Sequence, residues 1–207
     1  MNHHVYETPP VSDSVDALGA GGGVVDGLRL YLGNREGASG PARTATVVDT
    51  TDPNIPGLAE FLDDSHAGDV IVLGWQAQAS ASAVGGLAAT RLAAIGCVGI
   101  VTNGFIRDID EIRDAGLTVW AAGSTPRSGK GRLGVTKVGE PAQLGSLIVN
   151  DRDFVVADAT GVCVVAQSDI DAVLASARDL QEREIVFRDA MLNGMGFAAA
   201  KALAKTM

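Results

Sequence analysis

Residues 68–108 read GDVIVLGWQAQASASAVGGLAATRLAAIGCVGIVTNGFIRD, and the signals along them come in a telling order. Gly68-Asp69 marks a turn. Val70 to Leu73 follows as an apolar run without alternation, the pattern of a strand covered on both faces. Gly74 to Ala83 is a loop of small residues. Gly85 to Ile95 then reads as a helix, with Leu87, Arg91, Leu92 and Ile95 defining its faces and Gly96 placed as its stop. Val98 to Thr102 is a second fully apolar strand. Strand, loop, helix and strand together take about 30 residues, the length of a βαβ crossover. The pattern continues with Asp108–Ala115 as a short helix, Gly116 as its stop and Thr118–Ala122 as a third strand.

Outward toward the N-terminus, residues 1–10 read as a loose leader and Ser12–Leu18 as a short helix capped by Ser12. Val24–Leu32 and Ala45–Val48 read as strands around a Gly/Ser loop at Gly37–Gly40. A polar turn then leads into an amphipathic helix at Gly57–Asp63. Outward toward the C-terminus, Ser124–Gly134 (STPRSGKGRLG) is a basic, glycine-rich loop. Leu147–Val149, Phe154–Ala157 and Val162–Val165 are short strands. Ser168, with Asp171 three residues on, opens a long helix through Leu192. Gly194 and Gly196 break it before an Ala-rich turn. The expectation is one α/β domain over residues 11–167. A helical arm over residues 168–207 would pack its apolar face on a neighbouring subunit.

Composition narrows the function. The chain has 207 residues, 46% of them hydrophobic and 20% charged, enough for a large core and incompatible with disorder. Its 26 glycines follow no Gly-X-Y period, and aromatics are only 4%, so the core is aliphatic. Sixteen Lys and Arg against 25 Asp and Glu give a net charge of −9, which argues against nucleic acid and anionic membranes as partners. Cys97 and Cys163 sit in apolar runs without a ligand partner nearby and read as buried hydrophobes, as suits a reducing cytoplasm. No apolar stretch approaches the roughly 20 residues of a membrane span, and no secretory signal is visible.

Three places can carry chemistry. Gly85-Gly86 opens a helix after a buried strand, where free N–H groups and the helix dipole favour an anion. A turn permitting tight strand–helix packing accounts for the same spacing. Neither a Walker loop nor a dinucleotide fingerprint is present. Arg107-Asp108 follows the next strand at its carboxyl end, where ligands of α/β sheets bind. Arg107 can grip a carboxylate through two hydrogen bonds, and Asp108 can hold a hard divalent cation. A surface pair capping the next helix is the alternative. On the arm, Glu184 and Arg188 are spaced to pair on a helix face.

The succession SDSVDALG, GPARTATV, GDVIVL, AVGGLAA, GCVGIVTNGFIRDIDEI, VWAAGSTPR and VVADATGVCVV resembles the 4-hydroxy-4-methyl-2-oxoglutarate aldolase and ribonuclease-regulator (RraA-like) family over residues 11–195. The resemblance implies a layered ββα, swivelling-domain-like α/β fold, assembled as a homotrimer or a dimer of trimers. It implies a divalent-metal-dependent lyase, aldolase or decarboxylase. Its substrate would be a small 2-oxo acid such as a 4-hydroxy-2-oxo acid or oxaloacetate, cleaved through a metal-stabilised pyruvate enolate. Asp108 would then hold Mg²⁺ or Mn²⁺ and Arg107 would bind substrate. The amides of Gly85, Gly86 and Leu87 would cradle its carboxylate. Glu184 (or Glu182) of the arm would enter a neighbouring site as a catalytic acid.

Two acids usual in aldolase members are replaced here, one by Gly86 after the first glycine of the helix-opening motif and one by Gly74 after the central strand. They give a second expectation: a non-catalytic regulator that binds a protein partner, or altered small-molecule chemistry in the same pocket.

Overall fold

The run at Val70 forms a central strand of a large mixed sheet. The computed structural model describes residues 6–33, 37–52 and 58–205. In chain order, α1 (Thr8–Leu18) precedes β1 (Gly22–Val24), β2 (Arg29–Leu32) and β3 (Ala38–Asp49). Next come α2 (Leu58–Asp63), β4 (Val70–Trp75), β5 (Ser82–Val84), α3 (Gly86–Ile95), β6 (Gly99–Ile106), α4 (Ile109–Asp114) and β7 (Thr118–Ser124). Five short strands follow: β8 (Leu133–Thr136), β9 (Ala142–Leu144), β10 (Leu147–Val149), β11 (Phe154–Ala157) and β12 (Val162–Val165). A single 3₁₀ turn then leads into α5 (Ile170–Leu192) and α6 (Phe197–Lys205).

The principal sheet runs β1-β12-β11-β3-β4-β6-β7-β2, with β5 beside β6 and β8 beside β3. β3, β4, β6 and β7 are parallel neighbours. β1, β12 and β11 continue from β3 as an antiparallel flank. The VIVL run is buried on both sides, as its lack of alternation predicts. Ile71 and Leu73 pack with Ile100, Val119 and the helix residues Phe61, Leu92 and Ile112. Val70 and Val72 face the other way, against Val101, Trp120 and the β9-β10 hairpin residues Ala142, Leu144 and Val149. A third cluster joins α1 and α5 to β11 and β12 through Val11, Val15, Val156, Cys163, Val173 and Ala177. The mixed α/β architecture with its C-terminal helices is the one the sequence predicts.

Several local expectations change. α1 starts at Thr8 instead of Ser12. Prolines occupy its first turn, where their missing N–H has no intrahelical role. The Thr8 amide and hydroxyl both donate to the Asp158 carboxylate at 2.8 Å. Residues 1–5 of the expected leader lie outside the described residues. The strand expected over Val24–Leu32 divides at a turn containing Gly27 (φ 79°). The expected Gly37–Gly40 loop is largely strand, since β3 begins at Ala38 and pairs with β11 from there. The Ala-rich terminal turn is the helix α6. Both cysteines are free and buried, and burial is the main cause that pushes each thiol up to about 11. No helix among the described residues is long and apolar enough to cross a membrane.

Candidate functional site

The parallel strands place their carboxyl ends on one rim. β5 ends at Val84 and passes through Gly85 into α3, while β6 ends at Ile106 and passes through Arg107 and Asp108 into α4. The Arg107 amide donates to the Val84 carbonyl at 3.0 Å, which locks the two crossings side by side. β6 therefore reaches farther than the sequence suggests. Asn103 to Ile106 are strand, and the Asn103 Oδ1 atom accepts the Trp75 amide at 2.7 Å.

Asp108 caps α4 with its backbone in the left-handed region, φ 56° and ψ 50°, and makes no side-chain bond to its own helix. Asp and Asn tolerate that conformation better than most residues, and such strain concentrates at functional positions. The turn sends its carboxylate across to α3. Asp108 Oδ2 accepts the Gly86 amide at 3.2 Å and lies 3.4 Å from Arg107 Nε. Both side chains remain about one-third exposed, at 38% for Arg107 and 33% for Asp108.

The glycine pair is required by these neighbours. A Cβ on Gly85 would lie 2.7 Å from Asp108 Oδ2 and 3.0 Å from Arg107 Nε. A Cβ on Gly86 would collide with Glu111 Oε2 and sit 2.6 Å from Glu111 Cβ. Tight packing is thus shown for these glycines. Gly74 has a different reason, because a Cβ there would meet the Gln143 backbone at 2.8 Å, where the β9-β10 hairpin crosses β4.

Beside the pair lies a cavity of about 350 Å³. Its lining includes Gly85, Leu87 and Arg107, the apolar Val47 and Val135, and Ser128, Gly129 and Lys130. Asp108 and Gly86 flank this cavity without lining it. The Ser128–Lys130 wall belongs to the basic loop to which the sequence alone assigns no role. It is tied down where the Ser82 amide donates to the Arg127 carbonyl at 2.9 Å. The cavity is thus faced by two cations, Arg107 and Lys130, from separate elements. The signal for Lys130 is its place in a glycine-rich basic loop. Glu111 has no such signal in the sequence, since it is singled out only by the space it fills over Gly86.

Asp108 offers an oxygen ligand of the kind a hard divalent ion takes, and among the described residues no group of three or more His, Cys, Asp or Glu side chains that could hold a metal ion is assembled. Glu182 and Glu184 lie on the exposed side of α5, whose buried residues are Val173 and Ala177, and neither lines the cavity within one chain. The Glu184–Arg188 ion pair expected from spacing is absent among the described residues.

Comparison with known proteins covers most of this architecture. A family model described as RraA-like, Aldolase/RraA, matches residues 8–164. The chain is 32% identical over 138 residues to the Arabidopsis thaliana protein named "Putative 4-hydroxy-4-methyl-2-oxoglutarate aldolase 3", covering 66% of this chain and 79% of that one. It is 28% identical over 110 residues to an uncharacterised Methanocaldococcus jannaschii protein, covering 53% of this chain and 52% of that relative, so it spans about half of that relative's length. Among solved structures, Streptomyces coelicolor RraAS2, described as an unusual member of the RNase ES inhibitor RraA family, superposes with a TM-score of 0.78. That match is 27% identical and covers 88% of this chain and 91% of the other.

Proposed function

The chain belongs to the RraA-like family, and from that premise we propose that it is a divalent-metal-dependent carbon–carbon lyase. It acts as an aldolase or decarboxylase on a small 2-oxo acid such as a 4-hydroxy-2-oxo acid or oxaloacetate. The observation that carries this reading is the Arg107–Asp108 pair, turned onto the Gly85-Gly86 helix start beside a cavity faced by a second cation. Asp108 would hold Mg²⁺ or Mn²⁺, and a cation there would supply Lewis-acid stabilisation of the negative charge that carbon–carbon cleavage develops. Arg107 binds the substrate carboxylate through its planar fork. The amides of Gly85 and Leu87, beside the cavity, orient that carboxylate, since first-turn N–H groups lack intrahelical acceptors, whereas the Gly86 amide expected to join them is already bonded to Asp108. Lys130 in the cavity lining balances charge, and Val47 and Val135 give the cavity apolar surface that limits water. An acid of a neighbouring subunit's arm, Glu184 or Glu182, moves the proton of the substrate hydroxyl. This requires a homotrimer or a dimer of trimers. The exposed apolar residues Leu192 (79%) and Phe197 (65%) support such an assembly.

The test is pyruvate release from oxaloacetate and from 4-hydroxy-4-methyl-2-oxoglutarate with Mg²⁺, before and after EDTA. Turnover that EDTA abolishes and added Mg²⁺ or Mn²⁺ restores is the expected result. No turnover on either acid, or full activity in Asp108→Ala, overturns the reading. The 27% identity to RraAS2 over 88% of the chain favours a second reading, a regulator that binds a protein partner through its acidic surface. Recovery of a defined basic partner by a catalytically silent protein would select it.

A further inference from the structure

Among the described residues, Leu87 is the most exposed large apolar side chain, at 87%, and it stands in the first turn of α3. It belongs to none of the three core clusters, so the packing of the fold does not account for an apolar residue there. Its surroundings do. Leu58, Leu87 and Ala88 line the cavity beside Arg107, and the same three residues line a groove of about 340 Å³ between α2 and α3. Two hollows that share three lining residues form one continuous space.

The two ends of that space differ in chemistry. The cavity end carries the cations Arg107 and Lys130. The groove end is lined by Leu58, Ala59, Leu62, Leu87 and Ala88. Its two charged residues, Asp63 and Arg91, pair with each other at 2.9 Å. A ligand that matches both ends has an anionic head and an apolar tail. Size points the same way. The cavity alone measures about 350 Å³, and sites for drug-sized ligands begin at roughly 300 Å³. Pyruvate bearing a small fragment leaves the groove to water. Apolar surface continuous with a polar anchor is the surface a ligand covers, and each methylene moved onto it from water adds about fourfold in affinity.

We infer that the α2–α3 groove is the subsite for an apolar substituent, and that the substrate is a 4-hydroxy-2-oxo acid bearing an extended alkyl or aryl group on C4. The inference rests on the lyase reading above, in that it takes Arg107 to hold the 2-oxo acid by its carboxylate. The substituent then passes over Leu87 and Ala88 into the groove. Cleavage breaks the bond between C3 and C4. The hydroxyl proton leaves, the electron pair goes to C3, and C3 takes up a proton. The products are pyruvate and an aldehyde carrying the apolar group.

The experiment is calorimetric titration with pyruvate and with 2-oxooctanoate, neither of which has a 4-hydroxyl to cleave. It uses the full-length wild type, Ala88→Phe and Ala59→Asp with Mg²⁺ present, and light scattering gives the mass of each. The wild type is expected to bind 2-oxooctanoate at least about 50-fold tighter than pyruvate, short of the roughly 1,000-fold that full burial of the extra methylenes gives. Ala88→Phe fills the shared passage, and Ala59→Asp puts an unpaired charge in the groove. Each is expected to lower 2-oxooctanoate affinity at least about 10-fold and to leave pyruvate within about twofold. Equal affinity for the two acids, or a preference that both variants retain, overturns the subsite and leaves the lyase reading standing. A fall in mass in Ala59→Asp assigns the groove to a second copy of the chain and overturns the subsite likewise. A wild type that prefers 2-oxooctanoate yet releases no pyruvate from 4-hydroxy-2-oxodecanoate overturns the lyase reading and keeps the groove as a binding site. A wild type that binds neither acid overturns both.

Discussion

The Oδ2 atom of Asp108 lies 3.2 Å from the amide nitrogen of Gly86, so the residue that caps α4 bonds to the start of α3 and not to its own helix. The left-handed backbone of Asp108 makes this crossing possible. The two helix starts that frame the site are thereby tied through one carboxylate.

Replacing Asp108 separates backbone from charge. Asp108→Asn keeps a short side chain that tolerates φ 56° and still accepts the Gly86 amide through its carbonyl oxygen. It is expected to melt within a degree or two of the wild type while losing metal-dependent pyruvate release by more than about 100-fold, beyond the effect of supporting groups. Asp108→Ala is expected to be less stable by about 1 kcal/mol in urea titration, the cost of a left-handed alanine.

Gly104 is expected to be intolerant of any side chain. A Cβ there would run into the Trp75 ring, 2.6 Å from its Cζ3 and closer still to Cε3, on a strand buried on both sides. Gly104→Ala should cost about 1–3 kcal/mol, as overpacking does. Tryptophan fluorescence should report a displaced Trp75. Unchanged stability in a chemical melt would contradict this packing.

The thiols set an alkaline limit on stability. Burial raises both Cys97 and Cys163 from 9.0 to about 11, because it disfavours the charged thiolate. A group whose folded pKa is raised stabilises the fold fully below its unfolded pKa and loses that contribution as pH climbs through the folded one. The wild type is therefore expected to lose stability between pH 9 and 11, and Cys163→Ala to lose less over that window. A thiol reagent at pH 8 should label the native protein slowly and the urea-unfolded protein fully.

The arm should be needed for assembly. Leu192 and Phe197 are 79% and 65% exposed, and Phe197 stacks edge-on against Phe187, with ring centroids 5.0 Å apart. If the proposed assembly forms, Leu192→Asp and Phe197→Asp are expected to lower the light-scattering mass from that of a trimer or hexamer to that of the monomer; a wild type that is itself monomeric contradicts the assembly. The α1–β12 fold should survive, since the family match ends before the arm.

Much of this was legible in residues 68–122, because doubly buried strands and glycine-stopped helices leave signals within a few residues. The run Val70–Leu73, the helix from Gly86 and the stop at Gly96 (φ 95°) all appear in the structure. Elements held by distant pairing were harder to see. β8 and β9 are four and three residues long, and LGVT and AQL become strands only because β3 and β10 lie beside them. At the site, Arg107, Asp108 and Gly85-Gly86 could be named from motif and position. Glu111 and Lys130 could not, because what singles them out is a missing Cβ 25 residues away and a loop tied to β5.

β3 is the strand on which everything else depends. β11 holds its first residues, β4 runs along Ala42 to Val47, and β8 closes over Thr46 to Asp49. The layer containing α1 and α5 and the layer containing the cavity therefore share one backbone, and the two are expected to open together. Amide hydrogens in the middle of β3 will exchange with solvent only when the whole molecule unfolds. Calorimetry will show one cooperative transition where the separate cores alone suggest two.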